Sequence, residues 1–330
     1  MRSLRRGTAF RLFFAADLHG SVPAWRKFVN AAAFYDVDAL VFGGDLMGKA
    51  LVPIVRQDGH LQAHFQGVTR ELETGSALDA FTRSVEVAGF YWRVMTDDEY
   101  RAMRFDPLLL EGAFQDLARE RLRSWIAFAR ARLASGIPVY LTGGNDDAPA
   151  VLSVLEEEED ERVVACEGKV VDLDGSHTMI TVGRSTPTPW DTPREATEEE
   201  IAVLVEDSVA RVPDPGRCVF NVHVPPKDSV LDRCLKLDTE HALPGQLPKP
   251  VRQGGRFVTT SGGSVAVRQA IRRYQPLVGL HGHIHESPGR VRIGRTPCFN
   301  PGSEYGQGHL QGMVLQLGDG KVSGYQHTTG

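Results

Sequence analysis

Three histidines fall within five residues in the segment Leu280-His281-Gly282-His283-Ile284-His285-Glu286, directly behind an apolar run. Neutral imidazole is the commonest side-chain ligand of divalent metals, so this density points to metal chemistry. If the run is a strand, alternation sends His281, His283 and His285 to one side, and a tight turn at Gly282 can spread them around an ion. The other ligand types such a site needs stand behind other apolar runs. Residues 10–16 end in Asp17-Leu18-His19, and residues 39–42 lead to Gly43-Gly44-Asp45. Residues 139–142 lead to Gly143-Gly144-Asn145-Asp146-Asp147, and residues 218–222 deliver His223 just before Pro225-Pro226, which cannot continue a ladder. Open α/β sheets collect ligands at the carboxyl ends of their strands, so these segments belong together.

Singly, Asp17 or Asp45 reads as well as a turn or capping residue, and a lone histidine as a packed one. Together, Asp17, His19, Asp45, Asn145, His223, His283 and His285 are too many ligands for one ion. Two divalent ions sharing an aspartate fit better. Carboxylate, amide and imidazole suit manganese, with iron or zinc as alternatives, and the absence of a thiolate argues against a structural zinc site. Cys166, Cys218, Cys234 and Cys298 are far apart, form no CxxC pair and read as reduced and structural.

The elements that must hold these ligands alternate between strand and helix patterns. Residues 22–33 have helical spacing, Pro149 suits a first helical turn, and Thr197 with Glu200 forms a capping box for a helix reaching about residue 209. Gly262-Gly263-Ser264 opens another helix whose first amides could cap an anion. The interval from Asp45 to Asn145 is far longer than that from Asp17 to Asp45, which marks an insertion at about 51–136 within a single domain spanning 1–330. The insertion reads as mainly helical, over 68–88 and 111–134, after a hairpin around Asp58-Gly59; Trp92 and Arg93 suit a cap over the site. His60 and His64 read as surface or packing residues. Residues 184–195 form a proline- and threonine-rich loop whose Arg184, Trp190 and Arg194 could meet an anionic substrate or simply pack the loop.

The length of 330 residues, with 42% hydrophobic and 24% charged side chains, supports a globular fold with a sizeable core. A net charge of −5 argues against nucleic acid held by general positive charge, and Arg119, Arg121, Arg123, Arg130 and Arg132 read as a solvated helix face. Arg2, Arg5 and Arg6 before an apolar stretch imitate a signal peptide, but Arg11 interrupts that stretch. No run is long enough to span a membrane, so the expected location is cytoplasmic. The expected partner is a small substrate, and a homo-oligomer stays open.

In chain order, DLH, GDLM, GNDD, His223 and GHIH resemble the motifs of the calcineurin-like metallophosphoesterase superfamily: DxH, GDxx, GNH[DE], a lone histidine and GHxH. More narrowly, PTPWDTPRE, HVPP, LHGHIHES and NPGSEY resemble a bacterial and archaeal branch of Icc-related predicted phosphoesterases. The resemblance implies an α/β fold, a four-layer α/β/β/α sandwich of two mixed sheets, with the insertion outside it. It implies Asp17, His19 and His285 on one metal, Asn145, His223 and His283 on the second, and Asp45 bridging. The implied reaction is hydrolysis of a small phosphodiester by a metal-bridging hydroxide. Phosphomonoester hydrolysis and a non-catalytic metal-binding scaffold are the alternatives. One departure stands out: Asp146 occupies the position where the motif commonly has histidine, so the usual leaving-group acid is missing. Asp146, if kept protonated, and the extra His281 are the candidate acids.

Overall fold

The computed structural model describes residues 9–57, 59–241 and 248–330. The arginines of the signal-like N-terminus and Asp58 of the expected hairpin turn lie outside the described residues. The fold is mixed α/β, and two six-stranded sheets carry it.

In the first sheet the order is Lys321–Thr329, Gln311–Gly318, Phe10–Ala15, Ala39–Phe42, Val139–Leu141, Val163–Ala165. The last four run parallel, and Gln311–Gly318 joins antiparallel to Phe10–Ala15. In the second sheet the order is Gly289–Ile293, Thr296–Asn300, Val278–Leu280, Cys218–Val222, Thr178–Val182, Val170–Asp172. Its four inner strands are parallel, with an antiparallel strand at each edge. Parallel strands need crossovers, and helices supply most of them.

Alternation along the strands sorts side chains into three cores. Leu12, Phe14 and Val41 of the first sheet pack with Met179, Val219, Leu280 and Phe299 of the second, so these faces meet. Phe13, Leu40, Phe42 and Leu141 face the other way, onto Trp25 and Phe28 of the helix Val22–Phe34 and Leu122 and Trp125 of the helix Pro107–Arg132. Ile180, Phe220 and Val222 point away from the first sheet, onto Ile201 and Val205 of Glu198–Val209 and Val267 and Ile271 of Val265–Tyr274. Each fully buried Phe or Leu contributes about 1.5–3 kcal/mol relative to exposure. With both faces covered, the carboxyl ends of the parallel strands are left for chemistry.

The insertion departs from the mainly helical reading. Residues 51–96 build a four-stranded sheet ordered Val68–Leu72, His60–Phe65, Leu51–Gln57, Tyr91–Thr96, and the helix expected over 68–88 starts only at Ser76. Val68, Thr69 and Arg70 pair with Phe65, His64 and Ala63 across the turn Gln66-Gly67, a hairpin that overrides the helical spacing. The helix over 111–134 is present and longer, Pro107–Arg132, and its buried face belongs to the core of the first sheet. Trp92 and Arg93 line a cavity of about 520 Å³ with Trp25, Arg26, Arg121 and Phe128, and none of the seven ligand residues borders it. No helix among the described residues is long and apolar enough to cross a membrane.

Candidate metal centre

Asp17 and His19 follow the strand Phe10–Ala15, Asp45 follows Ala39–Phe42, and Asn145 follows Val139–Leu141 in the first sheet. His223 follows Cys218–Val222, and His283 and His285 follow Val278–Leu280 in the second. Two groups of ligand atoms result: Asp17, His19, Asp45 and His285, and Asp45, His223 and His283. Within each group the atoms lie within 4.8 Å of one another, and Asp45 belongs to both. The exposure of Asp17, His19, Asp45, Asn145 and His223 does not exceed 3%.

Local backbone geometry turns these side chains inward. Asp17, His19, Asp45 and His283 all have positive φ, between 41° and 68°, a region costly for residues with a Cβ and concentrated at functional sites. Two glycines make room. A Cβ on Gly144 would lie 2.1 Å from Asp45 Oδ1, and one on Gly44, itself at φ +110°, would lie 2.6 Å from His223 Nδ1. A side chain at either position would displace the ligands.

The contacts crowd imidazole nitrogens and carboxylate oxygens together. His19 Nε2 stands 3.0 Å from His285 Nε2 and 3.6 Å from Asp45 Oδ2, while His285 Nε2 is 3.5 Å from Asp17 Oδ1. In the other group His223 Nε2 is 3.4 Å from Asp45 Oδ2 and 3.2 Å from Asn145 Oδ1. At 3.5–3.6 Å the His19 and His285 nitrogens stand at or beyond the limit of a hydrogen bond to these carboxylates, a spacing that leaves room for an ion between them. Divalent cations satisfy all of them, and the oxygen and nitrogen donors fit first-row ions without selecting one. These buried groups could hold metal.

Electrostatics separates the imidazoles. Burial lowers His19 well below its usual range and brings His283 down to about 4, so both present bare nitrogens. Burial acts the same way on His223, but Asp45 and Asp17 overcome it and raise its pKa to about 9. His285 is likewise raised against burial, by Asp17. Asp45 stays ionised despite its burial because His223 and His19 face it. The ring of His223 is oriented from behind, Nδ1 donating to Gly43 O at 2.8 Å.

The two carboxylates after Asn145 play different parts. Asp147 is fully enclosed and accepts three backbone N–H groups, from Leu46, Met47 and Gly144, each at 2.8 Å. It thereby ties the turn carrying Asp45 to the turn carrying Asn145; burial and the charge of Asp45 push its pKa up to about 7. Asp146 faces the centre. Its backbone N–H donates to Asp45 Oδ1 at 3.0 Å, and its Oδ2 lies 3.5 Å from His19 Nδ1 and 2.7 Å from Lys49 Nζ. Burial and Asp45 raise the Asp146 pKa, and Lys49 opposes them.

His281, the other candidate acid, does not join the ligands. It is fully buried, its Nδ1 donates to Val222 O at 2.8 Å, and its Nε2 points back at Gly279, where a Cβ would lie 2.7 Å away. Burial lowers its pKa to about 4, so the ring is neutral and braces the strands beneath the site.

Lys49 and Tyr305 were not singled out by the sequence. Lys49, 47% exposed, is a cation paired with a residue of the centre, and the Tyr305 ring lies 4.6 Å from that of His19. A signal for Lys49 existed: it is the first cation after the Asp45 turn. The anion site expected at the helix after Gly262-Gly263-Ser264 is filled internally, since Glu198 accepts from Val265 N, Ala266 N and Ser264 Oγ. Arg194 is buried, donating to Gly144 O at 2.9 Å and pairing with Glu167, so it braces the proline loop and does not await a substrate.

No known protein family's sequence pattern matches this chain, and no curated protein does. Solved structures do. One crystal structure matches at 15% identity and TM-score 0.57, covering 97% of this chain and 99% of its own. TT1561 of Thermus thermophilus matches at 15% identity and TM-score 0.52, with 98% and 99% covered. The sulfate thiohydrolase SoxB of Thermus thermophilus is more distant, at 13% identity and TM-score 0.36, with 99% of this chain and 57% of SoxB covered. The first two show a shared fold.

Proposed function

We propose that this chain is a dinuclear metal-dependent phosphoesterase with the calcineurin-like four-layer sandwich, acting on a small phosphodiester. The observation that carries the reading is the meeting of Asp17, His19, Asp45 and His285 with Asp45, His223 and His283 around one shared carboxylate. The packing of the two sheets, face to face with helices outside, supports the sandwich. Asp17, His19 and His285 would hold one ion, Asn145, His223 and His283 the other, and Asp45 both. When bound, two such cations activate water and neutralise charge building on a phosphoryl group. Manganese suits the donor set, as do iron and zinc.

The remaining work falls to the chain's own residues. Lys49, half-exposed beside Asp146, supplies a fixed positive charge at the edge of the centre, with donors left for a substrate oxygen. Burial and Asp45 raise the Asp146 pKa against this ion pair, but both its oxygens accept here, from Lys49 and from Asn145 Nδ2, so no Asp146 proton is aimed at a leaving group while these contacts hold. A substrate whose leaving group needs no protonation fits such a site. The same lysine favours a second reading, a phosphomonoesterase, because a monoester carries an additional negative charge.

The test is hydrolysis of bis-p-nitrophenyl phosphate against p-nitrophenyl phosphate by metal-stripped protein with manganese restored, beside Lys49→Met. Manganese-dependent cleavage of the diester, with KM raised in the variant, supports the reading. Preference for the monoester moves it to a phosphatase, and no turnover with two ions bound leaves a metal-binding scaffold.

A further inference from the structure

The proline loop at residues 184–195 reaches the centre through a hydroxyl. Asn145 is 3% exposed, and its side-chain Nδ2 donates to Thr192 Oγ1 at 2.9 Å and to Asp146 Oδ1 at 3.2 Å. Both amide hydrogens are thus used, one on the loop and one on the neighbouring Asp146, and Oδ1 is left facing His223 Nε2 at 3.2 Å. An amide has two ends of opposite character, and only its oxygen can serve a cation.

The direction of this bond is fixed one residue further out. Thr192 Oγ1 donates its single hydrogen to Glu195 Oε1 at 2.8 Å, and Thr192 N donates to the same oxygen at 2.9 Å. Burial works against the charge of Glu195, but the donors from Thr188 and Thr192 hold its pKa below the usual value, so the carboxylate only accepts. With its hydrogen committed to Glu195, Thr192 can offer Asn145 only a lone pair. The loop is held in register two residues beyond the contact. Arg194 N donates to Asn145 O at 3.1 Å, and the Arg194 guanidinium donates to Gly144 O at 2.9 Å.

We propose that Thr192 is a positioning residue of the centre: with Glu195 behind it, it locks the Asn145 amide oxygen toward His223 and so sets the affinity of that half for a divalent cation. This rests on the reading of Asn145 as a ligand of a second ion. Without the acceptor at 192, the amide can rotate by half a turn and present its NH2 to the cation position, where it repels.

Manganese titration of metal-stripped protein, followed by calorimetry and by metal content after desalting, tests this without any substrate. Wild-type chain should take up two ions. Thr192→Val, which keeps the shape and removes the acceptor, should weaken one of them by about 10–100-fold and leave the other unchanged. Thr192→Ser should restore wild-type binding, which a loss of packing would not allow. In an Asn145→Ala background the valine should cause no further loss. Wild-type affinity in Thr192→Val, or a loss that serine does not restore, overturns the proposal alone. Fewer than two ions in the wild-type chain overturns the two-ion reading and this inference with it.

Discussion

The two halves of the centre draw on the same residue types and are enclosed differently. Asp17, His19 and His285 lie beside Tyr305, Asp146 and the half-exposed Lys49, and His285 itself is 29% exposed. His223, His283 and Asn145 are bound to backbone and loop: Gly43 O behind His223, Thr192 behind Asn145, and the Asp17 carboxylate accepting from the backbone N–H of His283 at 3.0 Å. One half adjoins a half-exposed lysine, the other is braced by backbone and loop, and each keeps one partly exposed histidine. Similar side chains thus stand in different surroundings, which outer hydrogen bonds can tune separately.

Removing what the halves share should do most. Asp45→Ala takes a carboxylate from both groups, and the expected outcome is loss of both ions by metal analysis and of manganese-dependent hydrolysis to background. Next come variants of one half. His223→Ala should bind a single ion, and His285→Ala should too; equal stoichiometry of two in either would dissolve the division into halves. A smaller effect concerns protons. His223 sits at about 9 and His285 above its ordinary value before a cation binds, whereas His19 and His283 are neutral. Ligation requires bare nitrogens, so binding should release about one to two protons near neutral pH. Affinity should therefore rise with pH until about 9. Calorimetry in buffers of different ionisation heat reads this directly. The smallest change expected is Asp147→Asn, which replaces one acceptor oxygen by a donor among three backbone N–H groups. It should cost about 1–3 kcal/mol of stability, measured by denaturant unfolding, with both ions still bound.

Most of the candidate set was legible because it is local. A buried strand followed by glycine or proline and then a carboxylate or imidazole specifies where a side chain sits relative to its own sheet, and all seven such positions lie at strand ends. The capping box of Thr197 and Glu200 was legible for the same reason. The segment after Gly67 was misread as helix because its apolar spacing suits either element, and only pairing with His60–Phe65 decides. What Trp92 lines is a cavity between its own strand and the helices Val22–Phe34 and Pro107–Arg132, which no local pattern specifies.

By itself, the sequence determined which residues could bind metal and that they stand at the carboxyl ends of strands, since chain geometry over a few residues dictates both. The tertiary structure alone decided what each one touches. Lys49 meets Asp146, Thr192 meets Asn145, and Asp147 meets Leu46 and Met47 across separations of 47 to 101 residues. Such pairings depend on which loops two packed sheets bring side by side, and a hydrogen bond, unlike a strand pattern, leaves no periodic trace in the chain.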